Sequence, residues 1–324
     1  YQVAFSNSAW SKGNLSLVYG PSVNNSPPVL STPTAGSITE TAESSDTTSS
    51  GLSGTLSASD ANSGDTLTYG ITGASVDNGV ATLAGSYGSL ALNTSSGAYT
   101  YTPNNSSIEA LCAGAISDSF TLSVTDGSDT TTAPYIVNIT GADDPAVISS
   151  GTSGTGAEDT AITGTLTATD VEGLTDNTYF TVSTQPANGS ASIDPASGAW
   201  SYTPTANFNG NDQFTVTITD DCDGTTTQTI ALTISAVDDP AVITGDTSGS
   251  GAEDTTAITG NLAATDAEGL TNGSYFTVST EPANGSASID AASGAWSYTP
   301  TANFNGNDSF TVIVTDDLGG ITAQ

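Results

Sequence analysis

Carboxylates are the only plentiful charged groups in this sequence, and they recur at equivalent places. Asp170 and Glu172 lie two apart in Ala168-Thr169-Asp170-Val171-Glu172-Gly173, and Asp266 and Glu268 lie two apart in Ala264-Thr265-Asp266-Ala267-Glu268-Gly269. Asp220-Asp221 returns as Asp316-Asp317, and Asp143-Asp144 as Asp238-Asp239. Against 34 Asp and Glu the chain has one Lys or Arg, Lys12, and no His, so its net charge is −33. Without imidazole there is no Ser-His-Asp or Cys-His pair, and no His ligand for zinc or copper. One cation cannot supply a phosphate footprint, which excludes nucleic acid, and an anionic membrane surface is excluded for the same reason. A carboxylate pair in a cleft hydrolyses glycosides. Here, though, the acids repeat from unit to unit, which argues against one specialised catalytic site and for a non-enzyme.

Gathered carboxylates repel unless a cation neutralises them. Oxygen donors without His or a thiolate cluster select a hard cation, and six or more oxygens on flexible loops suit calcium better than magnesium. The competing reading is a set of ordinary solvated loop acids. Recurrence of three acidic stretches in two copies favours the metal, as does the lack of side-chain cations to balance them.

The elements that must position these acids follow from an internal repeat of about 95 residues. Pro186-Ala187-Asn188-Gly189-Ser190-Ala191-Ser192-Ile193-Asp194 recurs unchanged at 282–290, and Asn207-Phe208-Asn209-Gly210-Asn211-Asp212 recurs at 303–308. A diverged copy fills 28–142, where Ser96-Gly97-Ala98-Tyr99-Thr100-Tyr101-Thr102-Pro103 matches 197–204. Phe214-Thr215-Val216-Thr217-Ile218 and Ile230-Ala231-Leu232-Thr233-Ile234 alternate with period two, as half-buried strands do. Gly, Asn, Asp and Pro punctuate the strands every eight to twelve residues. The expected fold is all-β: tandem seven-strand, Ig/cadherin-like β-sandwiches in a linear rod. The expected divisions are an N-terminal strand segment at 1–27, then sandwiches at 28–142, 143–237 and 238–324.

In a seven-strand sandwich, A to G, the B–C and F–G loops share one end with the incoming linker. Asp143, Asp144, Asp170, Glu172, Asp220 and Asp221 should therefore converge at the top of unit two. Asp238, Asp239, Asp266, Glu268, Asp316 and Asp317 should converge at the top of unit three. Glu158 and Asp159 follow strand A and should face the second linker from the bottom of unit two. Trp200 and Trp296 read as inward core residues, with sugar-stacking aromatics as the alternative.

At this point the second and third units resemble the tandem cadherin-like repeats of large bacterial surface proteins. The residues that carry the likeness are Ala157-Glu158-Asp159-Thr160, 168–173, Tyr202-Thr203-Pro204, 207–214 and Val237-Asp238-Asp239-Pro240. The first unit is similar to the VCBS repeat of secreted adhesins, through Gly88-Ser89-Leu90-Ala91-Leu92-Asn93, 97–104 and Asp118-Ser119-Phe120. The resemblance implies calcium at the junctions, stiffening a rod, with ligand roles for Glu158, the linker acids and the B–C and F–G loop acids. It also implies an extracellular or cell-surface setting, such as an adhesin or a biofilm filament. The first unit departs from the pattern: its linker is Asn24-Asn25 and Asn62 stands where the second loop acid would be, leaving Asp60, Asp126 and Asp129.

Two features go further. Cys112 precedes strand F of unit one and Cys222 sits in the F–G loop of unit two, so both should face one junction, either as an interdomain disulfide or as two free thiols. The stretch 13–23 reads like a G strand with no sandwich before it, while unit three ends at Ile321-Thr322-Ala323-Gln324 with most of its G strand missing. Strand donation by residues 1–23 into the last sandwich of a neighbour would build a head-to-tail homopolymer. The alternative is a stalk segment cut from a longer adhesin. A carbohydrate-binding module with a cell-surface glycan target is the remaining class, resting on Tyr1, Phe5, Trp10 and Tyr19. No run of about 18 apolar residues is present to span a membrane.

Overall fold

The computed structural model describes residues 24–42, 50–254 and 257–324. Among the described residues the fold is nearly all-β, in three sandwiches, with one short helix at Asn105–Glu109. Contacts divide the chain into two compact units. One holds the first sandwich with residues 143–147, 169–175 and 219–225; the other holds the remainder.

In the first sandwich, one sheet runs Gly36–Thr39, Thr130–Gly141, Gly114–Thr125, Thr68–Ile71. Its first pair is parallel and the others antiparallel. The facing sheet runs Leu52–Thr55, Ala98–Pro103, Gly88–Asn93, Val80–Ala84, Ser75–Asp77. Alternate residues of the two long strands point inward, so Phe120, Leu122, Val124, Tyr135, Val137 and Ile139 meet Leu90, Leu92 and Tyr101 in one core.

In the second sandwich, Ser153–Ala157, Thr225–Ser235, Gly210–Thr219 and Phe180–Thr184 form one sheet. Ile162–Thr165, Ala199–Pro204 and Gly189–Ile193 form the other. Ile230, Leu232 and Ile234 are buried while Thr229, Ala231 and Thr233 face outward, as the period of two requires. Trp200 is 2% exposed and Trp296 6%, so both are core residues. Their indole N–H groups donate to the carbonyls of Gly151 and Asp246. Gly154 and Gly164 have no Cβ because the Trp200 ring occupies that space.

The third sandwich repeats the plan with one difference. Its last strand, Ile321–Ala323, has three residues, where the second sandwich has eleven at Thr225–Ser235. The stretch 248–252, equivalent to the strand Ser153–Ala157, forms no ladder. Beside them lies a cavity of about 460 Å³, lined by Ile258, Leu262, Trp296, Phe310 and Val312 together with polar residues of 246–251 and 306–309.

The same Tyr–Asp dyad recurs in all three sandwiches, buried in the first and part-buried in the other two. The hydroxyls of Tyr101, Tyr202 and Tyr298 donate to Asp118, Asp212 and Asp308. Each of these carboxylates also accepts backbone N–H groups, Asp118 two and Asp212 and Asp308 three each, those on Asp212 coming from Ala187, Asn188 and Gln213. Backbone N–H donors hold Asp212 below the ordinary carboxylate range, against the effect of its burial.

Candidate metal centres

The loops that follow the inward-packed B and F strands carry the acids, and the strands bring those loops together. At the first junction Asp144 is fully buried and its N–H donates to Glu172 Oε1 at 3.2 Å. The Asp170 carboxylate takes the N–H groups of Glu172 and Gly173 on Oδ1, while its Oδ2 is buried without a hydrogen bond. Asp220, 4% exposed, takes the N–H groups of Cys222 and Gly224. Asp143 and Asp220 crowd Gly224 so closely that a Cβ there would run into both carboxylates.

The top of the third sandwich has the same plan. Asp266 Oδ1 takes the N–H groups of Glu268 and Gly269, and its Oδ2 is buried without a hydrogen bond. Asp316 takes those of Leu318 and Gly320, and Asp239 N–H donates to Glu268. Asp238 and Asp316 close on Gly320 as Asp143 and Asp220 close on Gly224.

Glu158 is fully buried below the second linker. Its Oε1 accepts the Val237 N–H at 2.7 Å, and its Oε2 accepts the Asn209 amide. Asn207 reaches across to Asp239 at 2.6 Å, and its own N–H donates to Asp159. Asn207 and Asp159 both hold positive φ, at 59° and 60°, which short Asn and Asp side chains tolerate.

Asp221 and Asp317 lie apart from these clusters. Asp221 accepts the N–H and hydroxyl of Thr175, and Asp317 those of Thr271, so each staples the F–G loop to the B–C loop. The Thr271 hydroxyl and N–H hold Asp317 below its ordinary pKa.

Two acids escaped the sequence reading. Glu40 is 6% exposed; its Oε2 accepts the Ala142 N–H at 2.8 Å and its Oε1 is buried without a hydrogen bond. Carboxylate oxygens of Glu40, Asp144 and Glu172 lie within 4.8 Å of one another. Glu109, 5% exposed, adds its charge beside Glu40. Glu40 is the counterpart of Glu158, but its surroundings, Thr39-Glu40-Thr41, have lost the Ala-Glu-Asp-Thr signature. A buried Glu that takes the N–H of the departing linker is the signal common to both.

Crowding and burial disfavour ionisation of Glu40, Asp143, Glu172, Asp238 and Glu268. Burial first, then the neighbouring Asp170, pushes Glu172 up to about 8. Burial and the charges of Asp220 and Asp170 raise Asp143, and burial and those of Glu109 and Asp144 raise Glu40. Desolvation and Asp316 raise Asp238; desolvation and the charges of Asp266 and Asp239 raise Glu268. The donors fit a hard divalent cation: they are all oxygen, and Glu40, Asp143, Asp170, Glu172 and Asp266 each keep a buried oxygen without a hydrogen bond. At the head of the first sandwich, Asp60, Asp65 and Asp126 also cluster, while the Asn25 amide donates to Asp126 and Asp129.

Cys112 and Cys222 are joined as a disulfide, with Cα atoms 5.4 Å apart.

Residues 143–233 and 238–324 match the family described as bacterial Ig domain, and residues 25–141 match the bacterial cadherin-like domain. The cadherin-like match thus falls on the first sandwich, where the sequence suggested a VCBS repeat, and the Ig match on the two that resembled cadherin repeats. No curated protein sequence matches the chain. Among solved structures, PcdhgB3 EC1-4 is 14% identical, with 93% of this chain and 74% of that one covered at a TM-score of 0.46. Mouse Cadherin-23 EC22-24 is 17% identical, with 93% and 96% covered at a TM-score of 0.41.

Proposed function

The chain belongs to the bacterial Ig domain family, and from that premise we propose that it is an extracellular structural or adhesive rod whose junctions are stiffened by calcium. The observation that carries this reading is the Glu40, Asp144 and Glu172 cluster, in which Glu40 and Glu172 each keep a buried oxygen without a hydrogen bond. Three carboxylates at that spacing repel, and the chain's one Lys or Arg, Lys12, cannot balance its 34 acids. At the first junction Glu40, Asp143, Asp144, Asp170, Glu172 and Asp220 would hold the ion. At the second, Glu158, Asp238, Asp239, Asp266, Glu268 and Asp316 would do so. Asp221 and Asp317 would keep the ligand loops in place. Calcium supplies the countercharge that the side chains lack; the protein supplies desolvated oxygens already gathered by strand geometry.

The function is mechanical, so the test is mechanical and thermal. Calcium is expected to raise the melting temperature and sharpen the small-angle scattering profile toward that of a stiff particle, and chelator to reverse both. If neither observable responds, the calcium reading is wrong. Trp200 and Trp296 offer no sugar platform because they are buried, and Tyr1, Phe5, Trp10 and Tyr19 lie outside the described residues.

Head-to-tail assembly is a second reading, favoured by the cavity of about 460 Å³ in the third sandwich. The apolar part of its lining, Ile258, Leu262, Trp296, Phe310 and Val312, suits a strand with alternate aliphatic residues, the role of Ile230, Leu232 and Ile234 in the second sandwich. Leu15-Ser16-Leu17-Val18-Tyr19 has that alternation, although residues 1–23 lie outside the described structure. A peptide of residues 13–23 should bind a chain lacking residues 1–23, and the chain with residues 1–23 should form oligomers that the shortened one does not. A peptide that does not bind, together with identical size distributions, would sink the strand-donation reading.

A further inference from the structure

We propose that the Cys112–Cys222 disulfide is a clamp that sets the metal affinity of the first junction, and that its opening by a low-molecular-weight thiol weakens that junction alone. The proposal rests on the calcium reading and adds its regulation.

The clamp holds ligand-bearing backbone at both ends. Cys222 lies inside the loop Asp220–Gly224, and its N–H donates to Asp220 Oδ1 at 3.0 Å. Its sulfur and one carboxylate oxygen each from Asp143 and Asp220 all lie within 4.8 Å of one another. A sulfur in a disulfide is no thiolate ligand, so its role there is positional. At the other end, Cys112 follows the helix Asn105–Glu109 that carries buried Glu109. The carbonyl of Cys112 and the side chain of Leu111 pack so tightly on Gly141 that a Cβ there would clash with both. Gly141 ends the strand that runs directly into Asp143 and Asp144. The disulfide therefore ties the Asp220 loop to the segment against which the linker acids are seated.

An independent observation points to a ligand at this place. Glu40 is 6% exposed and keeps one buried oxygen unbonded, within 4.8 Å of Asp144 and Glu172 oxygens. Like charges gathered this way drive an untethered loop apart, and binding must then recover the lost order. A covalent tie removes that cost before the ion arrives. The second junction serves as an internal control: Leu318 stands at the position of Cys222, and among the described residues no comparably tight group of three acids forms there.

The bond is open to attack, since Cys112 is exposed and Cys222 half-buried. A thiolate attacks one sulfur, forming a mixed disulfide and releasing the other cysteine as a thiolate. A second reductant thiol then displaces the first cysteine. The protein gains two electrons and two protons as two thiols, and the reductant leaves as its own disulfide.

The experiment is a calcium titration by calorimetry of the oxidised chain, the same chain reduced with dithiothreitol, and the Cys112→Ser/Cys222→Ser variant. The oxidised chain is expected to show a tighter and a weaker class of sites. Loss of a positioning partner typically weakens metal binding by about 10- to 100-fold, so the tighter class should weaken at least about tenfold in both thiol-free and reduced forms. The weaker class, assigned by its loss in Asp239→Asn, should not move. Reduced wild type carries the test if the double variant does not fold. Unchanged affinities on reduction would overturn the clamp while leaving the calcium reading intact. An oxidised chain that binds no calcium would overturn the calcium reading itself.

Discussion

The two junctions use the same loop plan but hold their acids differently. At the first, Glu40, Asp144 and Glu172 are drawn into a tight, largely buried cluster, and a disulfide ties the neighbouring Asp220 loop. At the second, the corresponding Glu158 is occupied by hydrogen bonds from Val237 and Asn209, Asp239 is held by the Asn207 amide, and Leu318 replaces the cysteine. The first concentrates charge and restrains it covalently; the second disperses it and restrains it with neutral donors. Repulsion is thus built in most strongly where the restraint is strongest. The first junction should gain more from a cation and lose more without one.

The largest test of that contrast is calcium itself. At about 100 times the dissociation constant, one site adds about 2.7 kcal/mol, which for a cooperative unit of about 150–250 residues moves the melting temperature by about 5–10 °C. Calorimetric unfolding should show the transition containing the first sandwich moving further than the other. Gly224→Ala and Gly320→Ala come next. Each new Cβ meets a pair of carboxylates, at the first or second junction respectively, with an overpacking cost of about 1–3 kcal/mol. Each variant should lose calcium stabilisation at its own junction only, read as two separable melting shifts.

A smaller effect is expected from pH in chelator. The folded value for Glu172, about 8, lies above the unfolded value of about 4.3. Its stabilising contribution is therefore full below the unfolded value and lost as pH rises through about 8. The metal-free melting temperature should climb as pH falls from about 8 to about 5, and Glu172→Gln should flatten the climb. Calcium should reverse the trend, because its ligands must be deprotonated. The smallest effect is that of Asn207→Ala. It removes the amide held by Asp239 and should cost about 0.5–1.5 kcal/mol by denaturant unfolding, at the second junction alone.

The sandwich fold was legible because strand alternation and an internal repeat are written into consecutive residues. The convergence of Asp143, Asp170 and Asp220 was legible too, since seven-strand topology dictates which loops share an end. Glu40 was hidden because the diverged first unit kept the acid and lost its neighbours. Glu109 was hidden because it lies on a helix that the other two units do not have. Asp221 and Asp317 read like their neighbours in sequence. Their different task is set by Thr175 and Thr271, 46 residues away in each case. No local pattern reveals a hydrogen bond of that span.

The disulfide has a consequence for extension under load. Cys112 and Cys222 are 110 residues apart, a stretch that would pay out about 370 Å if drawn straight. Tension applied at the two ends of the chain passes through the sulfur bridge and bypasses everything between. Strands Gly114–Thr125 and Thr130–Gly141, and the second sandwich as far as Thr219, therefore carry no end-to-end load while the bridge is closed. While the bridge is closed only the residues before Cys112 and after Cys222 can lengthen under such tension; reduction would release the stored length.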